Sequence, residues 1–220
     1  MLALAPVVHT KEIKSWAFNI PARLQGFLEW FTDVIGYHEI FARNDLWTIF
    51  GNVYCRDGAW TQRFCDIPFG LSGGFNRPGL NTTLLPITFT HFPGGSSTKQ
   101  LLHYTQVLNS DVFRQYDHGI LQNIQKYGQE TPPLYFLNRT TAPVAIFWAG
   151  NDWLTSQRDI DVLHKALPNV IHYYKVPDEL FNHFDFLLSF TAQKHIYPNF
   201  LQVIEKHERD KHSKTKRNKD

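Results

Sequence analysis

The sequence predicts an α/β protein, and three observations carry the prediction. Pro143–Ala149 is an unbroken apolar run closed by Gly150, the pattern of a strand buried on both faces. Ser156 and Asp159 suit a helix start, Ile160, Leu163 and Leu167 form its inner stripe, and residues 169–176 read as a second strand. Strand, helix and strand in this order make the two strands parallel, joined by a right-handed crossover. Residues 1–8 add a third apolar strand far upstream, so the chain reads as about three parallel strands with a mostly helical insertion.

The remaining elements follow in order. Pro21 to about Ile35 is helical in pattern, with Leu24, Phe27, Leu28, Phe31 and Ile35 on one stripe and Pro21 suited to a first turn. Asn44-Asp45 can cap a second helix carrying Leu46, Ile49, Phe50 and Val53. Residues 56–95 hold many Gly, Pro and Asn residues and read as irregular. Ser97 and Gln100 have capping-box spacing for a helix through about Leu108. A polar stretch with Pro132-Pro133 leads to the buried strand. Residues 185–205 read as a final helix with a weak point at Pro198, and residues 206–220 as a basic, unstructured tail.

Composition narrows the function. The 220 residues are 43% hydrophobic and 19% charged, a globular balance. Phe, Tyr and Trp make up 15%, enough to bury or present large apolar surfaces. No apolar run reaches 18 residues, so no membrane-spanning helix is expected. The tail carries seven Lys/Arg against three acids, which leaves the rest of the chain slightly acidic, without the basic face of a nucleic-acid binder. The first ten residues lack a basic segment and make a poor signal peptide. Asn81-Thr82-Thr83 and Asn138-Arg139-Thr140 are glycosylation sequons. Cys55 and Cys65, ten apart, would close one small loop or stand as two buried thiols; zinc spacing is absent, and no metal or cofactor is expected.

The chemistry collects at two loops. Asp152 lies just past the carboxyl end of the buried strand, and His183 lies in the loop after the next strand. In open α/β sheets, function gathers at that edge. A carboxylate and an imidazole there suit two members of a Ser-Asp-His triad, or equally a capping Asp and a structural His. Gly70-Leu71-Ser72-Gly73-Gly74 matches the G-x-S-x-G nucleophile pattern formally. That pattern needs a buried strand before it and a helix after it. Ser72 has Pro68 just before it and Pro78-Gly79 after it, so it is not expected to be the nucleophile. Gly94-Gly95-Ser96-Ser97 opens a helix but lacks the Gly-Lys-Ser/Thr of a phosphate loop.

Four short blocks in order resemble the gastric and lysosomal acid lipases of the α/β-hydrolase fold. They are Ala3-Leu4-Ala5-Pro6-Val7; Thr90-His91 through Gly95-Ser96-Ser97 with His103-Tyr104-Thr105-Gln106; Gly150-Asn151-Asp152-Trp153-Leu154; and Asn182-His183-Phe184-Asp185-Phe186. The resemblance covers nearly all of the chain except the tail and is to the C-terminal half of the family. It implies that Asp152 and His183 are the triad acid and base. It implies a core strand at 1–8, a lid-bearing cap over 9–95 and a hydrolase core over 96–205. It implies a Cys55–Cys65 disulfide, glycosylation at Asn81 and Asn138, a secreted or lysosomal location and a neutral lipid substrate met at a lipid–water interface. The family's nucleophile serine and oxyanion segment lie upstream of everything that matches. The expectation is therefore a lipase-type ester hydrolase of the triacylglycerol or cholesteryl ester class, inactive as these residues alone. The alternative is a non-catalytic lipid- or partner-binding relative.

Overall fold

The computed structural model describes residues 1–36 and 39–217, the side chains of residues 33 and 211–217 excepted. Its main sheet has three parallel strands in the order β1 (Leu2–Leu4), β4 (Val144–Trp148), β5 (Val170–Lys175). Leu2 stands opposite Ala145, and Trp148 opposite Lys175. Every residue of β4 is buried. Its alternation explains the unbroken apolar run. Ala145 and Phe147 pack with Val176, Phe181, Phe186 and Ile196 on one face. Val144, Ile146 and Trp148 pack with Ile160, Leu163 and Leu167 on the other. Each large apolar side chain enclosed in this way contributes roughly 1.5–3 kcal/mol. The strand read at 1–8 is shorter than expected, because Ala5 turns to φ 46 and ends the pairing.

Between β4 and β5 runs α8 (Gln157–Ala166), begun by a full capping box in which Ser156 and Asp159 satisfy each other's backbone amides. The helix read over 185–205 is broken instead into α9 (Asp185–Leu188), α10 (Ala192–His195) and α11 (Tyr197–Arg217). Pro198 sits at the second position of α11, where its missing N–H costs nothing. This last helix runs twelve residues beyond the boundary read from the sequence.

The insertion departs further from expectation. Pro21 lies inside α1 (Trp16–Arg23) rather than at a helix start. After it the Leu24 amide donates to the Pro21 carbonyl, a tight turn that separates α1 from α2 (Gln25–Ile35). Leu24, Phe27, Phe31 and Ile35, four of the five residues of the apolar stripe, are exposed. A two-stranded ribbon, β2 (Glu39–Ile40) with β3 (Ser96–Ser97), brackets the next segment. Asn44 caps α3 (Asp45–Tyr54) as expected, accepting from the Leu46 and Trp47 amides. Phe50 faces inward with Trp47, while Leu46, Ile49 and Val53 face out.

Residues 56–95, read as irregular, hold α4 (Ile67–Gly73) and α5 (Leu85–His91). Both begin with Pro next to an apolar residue, a start signal hidden by the glycines around it. They form a second core of Phe69, Leu80, Leu85 and Phe89 around Cys55 and Cys65. Those cysteines are joined, with Cα atoms 5.9 Å apart. A disulfide closing so short a loop is worth roughly 3 kcal/mol. We expect the double variant Cys55→Ser, Cys65→Ser to lose about that much in urea unfolding, and the unreduced protein to show no free thiol after denaturation. Two titratable thiols would contradict the bond.

Ser97 caps α6 (Thr98–Ser110) through the Lys99 amide, but Gln100 accepts from the Ser96 hydroxyl instead of closing the expected box. The polar stretch before β4 contains α7 (Ile120–Tyr127), ended by Gly128 in the left-handed region. Among the described residues no helix is long and apolar enough to cross a membrane.

Candidate functional site

Asp152 follows β4 by four residues, and His183 follows β5 by eight, so both loops leave the same edge of the parallel sheet. His183 Nδ1 and Asp152 Oδ2 are 2.9 Å apart. The other carboxylate oxygen, Oδ1, accepts from the Leu154 and Thr155 amides at 2.8 and 3.2 Å. The Asp152 side chain is fully enclosed, while that of His183 keeps 23% of its surface exposed. An acid held by two backbone donors cannot turn away, so it fixes the ring that faces it. The Asp152 charge reaches further. Burial pushes the Tyr104 phenol well above its ordinary range, and Asp152 and Asp159 push it the same way.

Local sequence explains the two loops. Asn151 Nδ2 donates to the carbonyls of Phe75 and Leu180, which ties the acid loop to the histidine loop. Asn182 Oδ1 accepts from the Phe184 and Asp185 amides and closes the turn that leads into α9. Between the loops runs the chain that leaves α4. The Gly73 carbonyl accepts from both the Trp153 amide (3.2 Å) and the His183 amide (3.3 Å), and the Gly74 carbonyl accepts from Asn182 Nδ2 (2.7 Å). This thread was not legible in the sequence, because it joins residues more than seventy positions apart. The one available signal was the Asn182-x-x-Asp185 spacing of a helix start.

Ser72 lies next to this thread but not in a nucleophile elbow. It sits inside α4, which follows a 3₁₀ turn (Gln62–Phe64) and not a strand, and its hydroxyl donates to the Pro68 carbonyl at 2.7 Å. That back-bond is ordinary for a helical serine. Asn138 is exposed in a single 3₁₀ turn, Leu137–Arg139; Asn81 is half-buried. Among the described residues no group of three or more His, Cys, Asp or Glu is placed to hold a metal ion.

No protein-family model matches the chain. Curated relatives do. The chain is 30% identical to Lipase 1 of Drosophila melanogaster over 210 residues, 94% of this chain and 45% of that protein. It is 31% identical over 206 residues to human gastric triacylglycerol lipase, 92% of this chain and 50% of that protein. It is 30% identical over 204 residues to a putative lysosomal acid lipase/cholesteryl ester hydrolase of Crotalus adamanteus, 92% of this chain and 50% of that protein. The chain thus spans about half the length of the curated relatives it matches. With identity near 30% sustained over nine-tenths of its own length, the chain is a homologue of the acid and gastric lipases.

Proposed function

We propose that the chain supplies the acid and the base of a carboxylic-ester hydrolase of neutral lipids, of the triacylglycerol or cholesteryl ester class. The observation that carries this is the Asp152–His183 contact at the carboxyl edge of the sheet, with the acid pinned by two amides. In this reading Asp152 holds the imidazole in the tautomer with its proton on Nδ1. His183 then takes the proton of an attacking serine and returns it to the leaving alcohol. The serine is not Ser72 and comes from outside these 220 residues, as do the amides that would stabilise the oxyanion. The sheet is then part of an α/β-hydrolase, with residues 9–95 as its cap over the substrate. The activities for which the relatives are named support a lipid ester as substrate and a secreted or lysosomal setting, in which the exposed Asn138 is the better-presented glycosylation site.

A second reading has its own observation. Trp16, Ile20, Phe27, Trp30 and Val34 expose apolar surface along α1 and α2. A non-catalytic relative that binds lipid or a partner protein through this face would need no nucleophile.

These 220 residues alone are expected to show no turnover of a short-chain nitrophenyl ester above buffer, and Ser72→Ala is expected to change nothing. Turnover that disappears with Ser72→Ala would make Ser72 the nucleophile and overturn the assignment of roles.

A further inference from the structure

Asp185 is 1% exposed, and among the described residues no Lys, Arg or His pairs with it. Its partners are neutral donors, one from a distant segment and one from its own turn. Oδ2 accepts from Asn76 Nδ2 at 2.8 Å and from the Asn182 amide at 2.8 Å. The Asn76 side chain is itself buried and held, because its Oδ1 accepts from the Gly79 amide. Asn182 answers Asp185 by accepting from the Phe184 and Asp185 amides. Residues 182–185 therefore form a closed ring of hydrogen bonds. His183 sits inside that ring, with its ring nitrogen left for Asp152.

We propose that Asp185 and Asn76 are positioning residues for His183: together they anchor the 182–185 turn to the chain following α4 and so set the distance from the imidazole to Asp152. The proposal rests on reading Asp152 and His183 as acid and base. It assigns the insertion a second task besides covering substrate, because Asn76 lies in the insertion and Asp185 in the C-terminal region. A buried carboxylate without a cation is costly to keep charged. Burial raises the Asp185 carboxyl to about 6, and the nearby Asp178 charge pushes the same way. Oδ2 accepts both donors in either protonation form, so the anchor does not depend on the charge.

The test reads the proton shared between His183 Nδ1 and Asp152, which gives a low-field proton resonance with a measurable solvent-exchange rate. Asp185→Asn keeps an oxygen at the same place and should leave that rate within about twofold of the parent. Asp185→Leu removes the acceptor, and Asn76→Ser withdraws the donor together with the oxygen that accepts from the Gly79 amide. Each should speed exchange by roughly tenfold or more, the factor that goes with leaving one buried hydrogen-bonding group without its partner. Amide protection in β4 reports whether a variant keeps its fold. Should Asp185→Leu fail to fold, Asn76→Ser decides alone. A folded Asn76→Ser or Asp185→Leu with the parent's exchange rate overturns the positioning role. Absence of the low-field proton from the folded parent strikes instead at the Asp152–His183 reading, and the positioning role falls with it.

Discussion

Asp152→Asn is expected to abolish ester hydrolysis, by about 10⁴-fold, in a chimera where this chain replaces the matching half of a gastric triacylglycerol lipase. The reason lies in how the carboxylate is held. Its Oδ1 accepts two backbone amides, so an asparagine would keep its carbonyl oxygen there and turn its amide group toward His183. The imidazole then meets a donor where it met an acceptor. It must present a bare Nδ1 and carry its proton on Nε2, the tautomer that cannot take a proton from serine. The substitution preserves shape and both backbone bonds, so the melting temperature should change little. His183→Ala removes the base itself and should cost at least as much, about 10⁴-fold or more, leaving what binding and oxyanion stabilisation supply. A chimera whose Asp152→Asn variant stays within tenfold of its parent would remove Asp152 from the role of acid.

The parts of the structure that were legible are those whose signals are local. The run at 143–149 announces a doubly covered strand because both of its faces meet apolar layers, and the Ser156–Asp159 box announces α8 within four residues. Strand order and handedness then bring Asp152 and His183 to one edge. Illegible were features that depend on what an element packs against. The apolar stripe read from Leu24 to Ile35 gives the helix but not its surroundings, and four of its five residues are exposed. Around α4, glycines at 70, 73 and 74 read as loop, yet Gly70 and Gly73 are buried helix positions against Phe75 and Phe184. Asp185 lies in a block singled out for its histidine, and its partner Asn76 is 109 residues away. The sequence shows residue types suited to an acid and a base; the residues that aim them are found only in three dimensions.

Gly74→Ala is expected to be the most damaging single-methyl change near the site. Gly74 has φ 107 and ψ 152, backbone that is essentially restricted to glycine and costs other residues about 1–3 kcal/mol. A Cβ there would also stand 2.2 Å from the Asn151 carbonyl oxygen, 3.1 Å from the Trp153 ring and 3.2 Å from Asn182. The first of these is backbone of the acid loop itself, so no side-chain rotation relieves the clash. Either the thread retreats, and the Gly73 and Gly74 carbonyls lose the amides of Trp153 and His183 and the Asn182 side chain, or the Asn151–Asp152 segment moves away from His183. We expect a loss of roughly 4 kcal/mol or more, a large share of the ~5–15 kcal/mol that holds an ordinary domain together. Gly36→Ala is the matched control. It too has positive φ, at 68°, but among the described residues nothing lies within 4 Å of a Cβ placed there, so it should cost only about 1–2 kcal/mol for the left-handed backbone. Urea midpoints for the two variants bound the clash: Gly36→Ala reports the cost of a left-handed backbone, and any excess in Gly74→Ala beyond the about 1 kcal/mol by which its backbone region is the more strained belongs to the contact with the acid loop. Equal midpoints would mean that the acid loop yields freely to the thread, and that the contact between them does not hold Asp152 in place.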